Sequence, residues 1–427
     1  MKNIILAIDR VEPGLVKAAK RIEKNIGYKI QGVRLVGRSY KEMHGGTYAP
    51  DETGFFQEIV VDYDDTEKLK YIIDSIKDNI LAVNCRDESS IQSFAKVIPM
   101  IPDVPTPSVD SLTWATQKNH MRERMSKYDI NLVPKYTEIT RNDLHQIDKI
   151  ISTFTFPLII KPCGLHTSML VKKCNNYEEL IENLEKTYKV IDDIYDKRLG
   201  NGKPTVIVEE FIVGEMYSID AYIGIDGNDI YCLPPIRVIT SHDVGLKGFY
   251  AYESRVPSEL SEEETKNANK ACISAIKSLN LASCTAHVEL FHTVNGWKIV
   301  ELGPRIGGHR EQIYRYAYGI DHYYNDLCSR IENLDLDIDI SNKNYTISMN
   351  IYANEEGVVK EIQGTEEVKK FQTNVFIREL IKTGDFAGSS ESGNPYHIDA
   401  IFCGKDKDQV IYDATLAHKI IHIEVNK

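Results

Sequence analysis

Two glutamates set in otherwise apolar segments, Glu289 in HVELF and Glu301 in WKIVEL, have the type and spacing best suited to chemistry in this chain. Both segments read as short strands, joined by a tight turn at Val294-Asn295-Gly296. A two-residue Asn-Gly turn pairs position 289 with 302 and sends the two carboxylates to opposite faces. A three-residue loop, with Gly296 left-handed in a bulge, pairs Glu289 with Glu301 and brings the side chains within ~5 Å on one face. Like charges at that separation repel, and a half-buried carboxylate needs compensation. A divalent cation supplies it. Oxygen-only ligands with room for water or phosphate oxygens select Mg2+ or Mn2+. Gly303-Pro304-Arg305-Ile306-Gly307-Gly308 follows directly and puts a guanidinium on a glycine-rich turn at the mouth of the hairpin. Carboxylates for a metal and an arginine for phosphate or carboxylate together point to nucleotide-driven chemistry.

Three further stretches hold candidate ligand residues. The strand FPLIIKP over 156–162 ends in Lys161 and runs into a Gly/Ser/Thr turn at 163–171 containing Ser168. An ammonium beside such a turn, with its backbone N–H groups, can surround phosphates. The strand TVIVEEFIV over 205–213 carries Glu209 and Glu210, which sheet interiors disfavour as a pair. A strand end whose backbone edge around Phe211 and Ile212 meets a purine, with Glu215 near ribose hydroxyls, accounts for them. Residues 234–257 read as a long irregular loop with Arg237, His242, Lys247 and Arg255, fit for a lid or a second-substrate loop. Two features mean little alone: Lys118, a helix lysine best read as solvated, and His44-Gly45-Gly46, best read as a surface loop.

The elements that must position these residues follow from the hydrophobic pattern. Alternating strands and helices over 1–107 (strands at 3–8, 28–36, 58–63 and 80–85) imply a small parallel sheet. The first turn, AIDRVEPG, lacks GxGxxG. A proline-rich stretch at 98–107 reads as a linker, a helix begins at 111, and an amphipathic helix spans 177–198. A helix with an acidic first turn covers 262–279, another covers 311–328, and 335–427 reads as a mixed α/β tail. The fold class is therefore α/β with α+β parts. The expected domains are 1–107, a central 108–334 with a mobile lobe at about 158–213, and 335–427.

With 427 residues, 42% apolar and 27% charged, the composition is that of an ordinary soluble globular protein. A net charge of -12 argues against nucleic acid or an anionic membrane as the main partner. The short apolar run of MKNIILAIDR is no signal segment, and no run spans a membrane. Eight scattered cysteines without CxxC spacing look reduced. The expected location is cytoplasmic.

The order of parts carries a resemblance. Lys118, then Lys161-Pro with its glycine-containing loop, then Glu209-Glu210-Phe211-Ile212-x-Gly-Glu215, then Glu289 and Glu301-x-Gly-Pro-Arg305 resembles the ATP-grasp superfamily over about 110–310. The look is nearest the carboxylate–amine ligases related to carbamoyl-phosphate synthetase and biotin carboxylase, especially L-amino-acid (dipeptide) ligases. The resemblance implies the ATP-grasp fold and an ADP-forming ligase that uses ATP with Mg2+ (or Mn2+). It places Lys118 on the α-phosphate, Lys161 on the α/β-phosphates and adenine, and Ser168 over the β/γ-phosphates. It puts Glu209 by the adenine amino group, the backbone of Glu210, Phe211 and Ile212 on the adenine edge, and Glu215 on the ribose. Glu289 and Glu301 hold the metal, and Arg305 steadies the γ-phosphate and acyl phosphate. Substrate recognition falls to Arg305, Gly307, Gly308, His242 and Arg255. Implied partners are a small carboxylate and an amine, amino acids among them, with the C-terminal segment available for a homodimer. Two departures stand out: Gly303 replaces a frequent asparagine metal ligand, and the phosphate loop is poor in glycine. An ATP-grasp carboxylase or purine-pathway ligase, and a nucleotide-binding module without turnover, are the alternative readings.

Overall fold

The strand Ile4–Ile8 (β1) is buried along its whole length, as a parallel strand covered on both faces must be. In the computed structural model, which describes residues 2–44, 54–166, 168–198, 200–341, 343–390, 394 and 396–426, it sits inside a four-stranded parallel sheet. Its partners are β2 (Gln31–Gly37), β3 (Phe56–Val61) and β4 (Ile80–Cys85), in the order β3-β2-β1-β4. The helix Pro13–Ile26 turns Leu15, Val16, Ala18, Ala19 and Ile22 onto this sheet and stops at Gly27, whose φ of 76° a side chain would resist. The 98–107 stretch is no free linker: Ile101 and Val104 are buried in the core of the same sheet. Gly45, Gly46 and the His44 side chain fall outside the described residues.

A second, antiparallel sheet joins β5 (Tyr136–Ile139), β6 (Leu158–Pro162), β7 (Lys172–Cys174) and β8 (Val206–Glu210) in the order β5-β8-β6-β7. The helix Tyr177–Arg198 lays Leu180, Leu184, Tyr188, Ile191 and Tyr195 on it, one stripe at helical spacing. This lobe starts with Tyr136, well before the expected 158.

The largest sheet has nine strands. Along it run β9 (Glu215–Ile223), β11 (Ile236–Thr240), β12 (Ala251–Val256), β13 (Cys284–Thr293), β14 (Gly296–Gly303), β15 (Tyr345–Ile351), β17 (Asn374–Glu379) and β19 (Ile398–Gly404), with β10 (Ile230–Cys232) on β9. Their order is β14-β13-β9-β11-β12-β15-β19-β17. The 234–257 stretch is thus ordered as two antiparallel strands rather than an irregular loop, because Arg237 to Thr240 alternate inward and outward against 251–255. The sheet also crosses the expected boundary at 334, since β15 pairs with β12. A small sheet of β16 (Gly357–Gln363), β18 (Phe386–Ala387) and β20 (His422–Asn426) completes the chain. Among the described residues no helix is long and apolar enough to cross a membrane, and the eight cysteines are free.

Candidate active site

The β13–β14 hairpin pairs Glu289 directly with Glu301, so the two side chains share one face. The route to that register is not the expected three-residue loop. The strands close on Thr293 opposite Gly296, around Val294 and Asn295, and the count is reset by a bulge that leaves Val300 extra between Glu289 and Leu290. Gly296 does take a positive φ, 96°. Glu289 receives His287 Nε2 at 3.4 Å, and Glu301 receives the Lys118 ammonium at 2.9 Å. Burial pushes Glu289 up, but the His287 hydrogen bond and the Arg310 and Arg305 charges more than offset it, holding the carboxyl below its ordinary value.

Lys118 is not the solvated helix lysine that its sequence context suggests: it is 5% exposed. The helix expected from 111 breaks at Gln117, whose backbone is extended, so that Lys118 becomes the first residue of a new helix, Lys118–Tyr128. Its free N–H reaches Cys163 O at 2.8 Å, and its ammonium donates to Leu165 O at 2.6 Å. Helix, 163–171 turn and hairpin therefore meet at one residue. Arg122, one turn on and on the same helix face, is fully buried and donates from Nε to Glu209 at 2.6 Å and from Nη2 to Val300 O at 2.7 Å. Lys161 donates to the other Glu209 oxygen at 2.8 Å. Burial lowers the Lys161 ammonium against the opposing pull of Glu209, and the Arg122 and Lys161 charges overcome burial to bring Glu209 down to about 2. Glu209 has no exposed surface, so it does not offer a carboxylate to an adenine amino group in this conformation; it anchors Arg122 and Lys161 instead. Sequence reasoning passed over Arg122, although its spacing of four from Lys118 was a signal.

Arg305 donates from Nε to Glu88 at 2.7 Å, a residue of the segment just past β4, and from Nη1 to Ile306 O at 3.1 Å. Nothing local marked Glu88. Gly307 must be glycine, because a Cβ there would lie 2.3 Å from His287 Nδ1 and 2.5 Å from Arg310 Cγ; at Gly308 a Cβ would meet open space. Gly307 N donates to Asp220 at 2.9 Å. Asp220, fully buried, also takes His287 Nδ1 at 2.6 Å and His322 Nε2 at 2.9 Å, so it orients the imidazole that faces Glu289. Burial lowers His287, and Asp220 overrides it to raise the imidazole above its ordinary value.

The 241–250 tip between β11 and β12 reaches the second sheet. Ser168, at φ 57°, points its hydroxyl to Phe249 O at 3.5 Å. Phe249 and Phe211 have ring centroids 6.3 Å apart, and His242 stacks on Phe249 at 5.2 Å. Glu210 and Ile212 are half-buried beside Phe211, while Glu215 is exposed and takes Arg237 at 3.1 Å and the Tyr217 hydroxyl at 2.8 Å. Arg255 lies farther along β12, engaged by Glu253 at 2.7 Å, and exposed Lys247 sits on the tip.

Among the described residues no three of His, Cys, Asp and Glu are grouped to hold a metal ion alone. The paired, half-exposed Glu289 and Glu301 fit a divalent cation whose remaining ligands are water or phosphate oxygens. Residues 154–312, which include both lysine-side and glutamate-side elements except the helix of Lys118, match the family model of the ATP-grasp domain. The chain carries an ATP-grasp domain. Outside the match lie Lys118, Arg122 and Glu88, which the fold brings to this cluster from N-terminal elements. The chain is 28% identical over 176 residues to D-alanine–D-alanine ligase of Bacillus cytotoxicus, covering 38% of this chain and 43% of that protein. It is 31% identical over 133 residues to phosphoribosylamine–glycine ligase of Methanosphaera stadtmanae, covering 31% and 28%. It thus spans less than half the length of these curated relatives. In fold it resembles L-amino acid ligase from Bacillus licheniformis, with a TM-score of 0.79, 19% identity and coverage of 100% and 99%. Phosphoribosylglycinamide synthetase from Anaerococcus prevotii follows at 0.66, 18% identity and full coverage of both chains. At these identities the structural likeness shows the ATP-grasp fold alone.

Proposed function

We propose that this protein is an ATP-dependent carboxylate–amine ligase that releases ADP and phosphate. The observation that carries it is the directly opposed Glu289–Glu301 pair, with Lys118 on one carboxylate and Arg305 and Arg310 acting on the other. An arrangement of two acids among three cations suits a metal-bound triphosphate better than any single ion.

In the proposed reaction a substrate carboxylate oxygen attacks the γ-phosphorus of ATP; the bond to the β-phosphate oxygen breaks, and ADP leaves. The amine of a second substrate attacks the acyl carbon, the carbon–oxygen bond breaks, phosphate leaves and the ammonium proton passes to solvent. Mg2+ or Mn2+ held by Glu289 and Glu301 would supply neutralisation of the triphosphate charge. Lys118 and Lys161 bind phosphate oxygens, Ser168 and its neighbouring backbone cover them, and Arg305 orients the transferred group. Phe211 and Ile212 provide the strand edge for adenine, with Glu215 beside the ribose. No protein nucleophile is required, because positioning and charge neutralisation lower the barrier. Solution in the cytoplasm and a homodimer through the C-terminal strands complete the reading.

The test is a phosphate-release screen with ATP, Mg2+ and pairs of amino acids, read by product mass. A product whose mass is the sum of the two partners less water supports the ligase. Phosphate release that depends on bicarbonate alone supports a carboxylase, and ATP binding without release under any pair would sink turnover altogether.

A further inference from the structure

Four arginines are buried in the described residues: Arg34, Arg122, Arg310 and Arg330. Three of them meet a carboxylate, Arg34 with Glu58 at 3.4 Å, Arg122 with Glu209 at 2.6 Å and Arg330 with Asp326 at 2.6 Å. Arg310 does not. Its Nε donates to Ser218 Oγ at 3.0 Å and its Nη1 to Ser254 Oγ and Gly308 O, both at 3.3 Å; all three partners are neutral. Its Nη2 donates to nothing among the described residues. This guanidinium has only neutral acceptors at hydrogen-bond distance, and its charge is met at longer range by Glu289, so a donor is left to take an anionic ligand.

The strand register shows where that charge is aimed. Ser218 on β9 lies directly opposite Glu289 on β13, which lies opposite Glu301 on β14, so all three share one face. Arg310 therefore stands over the strand next to Glu289, about 4.8 Å along the sheet, on the side away from Lys118. Beyond it Ser254 on β12 faces Ser348 on β15, both buried, so the floor there is made of hydroxyls without charge. The backbone that caps this region is Gly308, beside which there is open space. Arg305, the other arginine of the turn, is already held by Glu88.

We propose that Arg310, with Ser218 and Ser254, is a carboxylate-binding subsite for the amine substrate. The amine is then one that carries its own carboxylate, as an α-amino acid does. The proposal rests on the ligase reading and adds to it a location and a substrate class: the acceptor's carboxylate docks on Arg310, and its amino group points back along the sheet toward Glu289 and the acyl phosphate. Arg305 is left for the transferred phosphoryl group.

The experiment takes a productive pair from the phosphate-release screen and replaces the acceptor (the partner whose carboxylate survives in the product) by its carboxamide. Wild-type protein should show a KM about 10- to 100-fold higher for the carboxamide, the loss expected when a charge-assisted hydrogen bond to a buried arginine goes. Arg310→Met should remove that discrimination, and Arg310→Lys should keep part of it. Ser254→Ala serves where Arg310→Met fails to fold, and the wild-type comparison needs no variant. Equal use of acid and carboxamide by the wild type overturns the subsite, as does a change confined to the carboxylate donor or to ATP. With no productive pair the ligase reading itself fails, and calorimetry reads the subsite separately. Free amino acids, but not their carboxamides, should bind wild-type protein loaded with Mg2+ and a non-hydrolysable ATP analogue. Binding indifferent to the carboxylate overturns it.

Discussion

The Lys118 ammonium lies 2.9 Å from Glu301 Oε1 and also donates to Leu165 O at 2.6 Å, so one buried side chain joins the hairpin carboxylate to the turn that follows β6. Lys118→Met leaves both acceptors without their cation. The expected result is a rise of about 10- to 100-fold in the KM for ATP, the size of a lost charge-assisted hydrogen bond. Lys118→Arg should restore little, because a forked planar group does not reproduce a point charge at the first turn of a helix. Steady-state phosphate release checks both.

Glu289→Gln and Glu301→Gln keep shape and remove charge. Each should slow phosphate release on the order of 10²–10³-fold while thermal unfolding barely moves. A higher Mg2+ concentration should be needed for half-maximal rate. Full activity in Glu301→Gln would sink the role assigned to the hairpin.

Arg122 and Lys161 share Glu209 in a site with almost no access to water. Arg122→Met should cost about 3–5 kcal/mol, because it leaves a buried carboxylate short of its partner. Adding Glu209→Gln should recover part of the loss, so the double variant falls short of the summed single effects in denaturant melts. The pH sign follows from Glu209, whose carboxyl lies at about 2 in the fold against an ordinary 4.5. Its contribution is present above pH 4.5 and is lost as pH falls from there toward 2; Glu209→Gln should flatten that part of the stability curve.

Asp9 behaves in the opposite sense. It is buried at the carboxyl end of β1, accepts Gly37 N at 2.8 Å and holds φ 58°, and burial raises its carboxyl to about 6. A raised carboxyl favours the fold below its ordinary 3.8 and loses that advantage as pH climbs to about 6. Asp9→Asn, which tolerates the left-handed backbone, should raise the melting temperature above pH 6 and make no difference near pH 3.5. Melting curves across that range decide it.

The two glycines of the Arg305 turn should part company. Gly307→Ala drives a methyl into His287 and the stem of Arg310 and should lower the melting temperature by several degrees, whereas Gly308→Ala should leave it unchanged. Equal effects in differential scanning calorimetry would contradict the close approach described above.

Much of this architecture was legible in the chain because it rests on local pattern. The stripe of Leu180, Leu184 and Ile191 gave the helix Tyr177–Arg198 its full length, and the apolar runs IILAI and ILAVNC gave two strands of the first sheet. The 234–257 stretch was misread because Pro234, Pro235 and its charged residues mask the alternation of the short strands β11 and β12. The shared face of Glu289 and Glu301 was also within reach, although the bulge at Val300 that produces it was not: a bulge has no sequence signature when neither of its residues is glycine.

The sequence alone determined the order of elements and the lysine-to-arginine series, since each depends on spacing along one strand, helix or turn, whereas the bulge at Val300 set the register that opposes the two glutamates. Only the tertiary structure decided that Lys118 is buried against Glu301, 183 residues away, and that Glu88 meets Arg305 across 217. It alone set Arg122 behind Glu209 and gave Arg310 two serines in place of an acid. Such contacts join residues from separate elements, and periodicity, which records only which face a residue takes, holds no information about what another element will bring to that face.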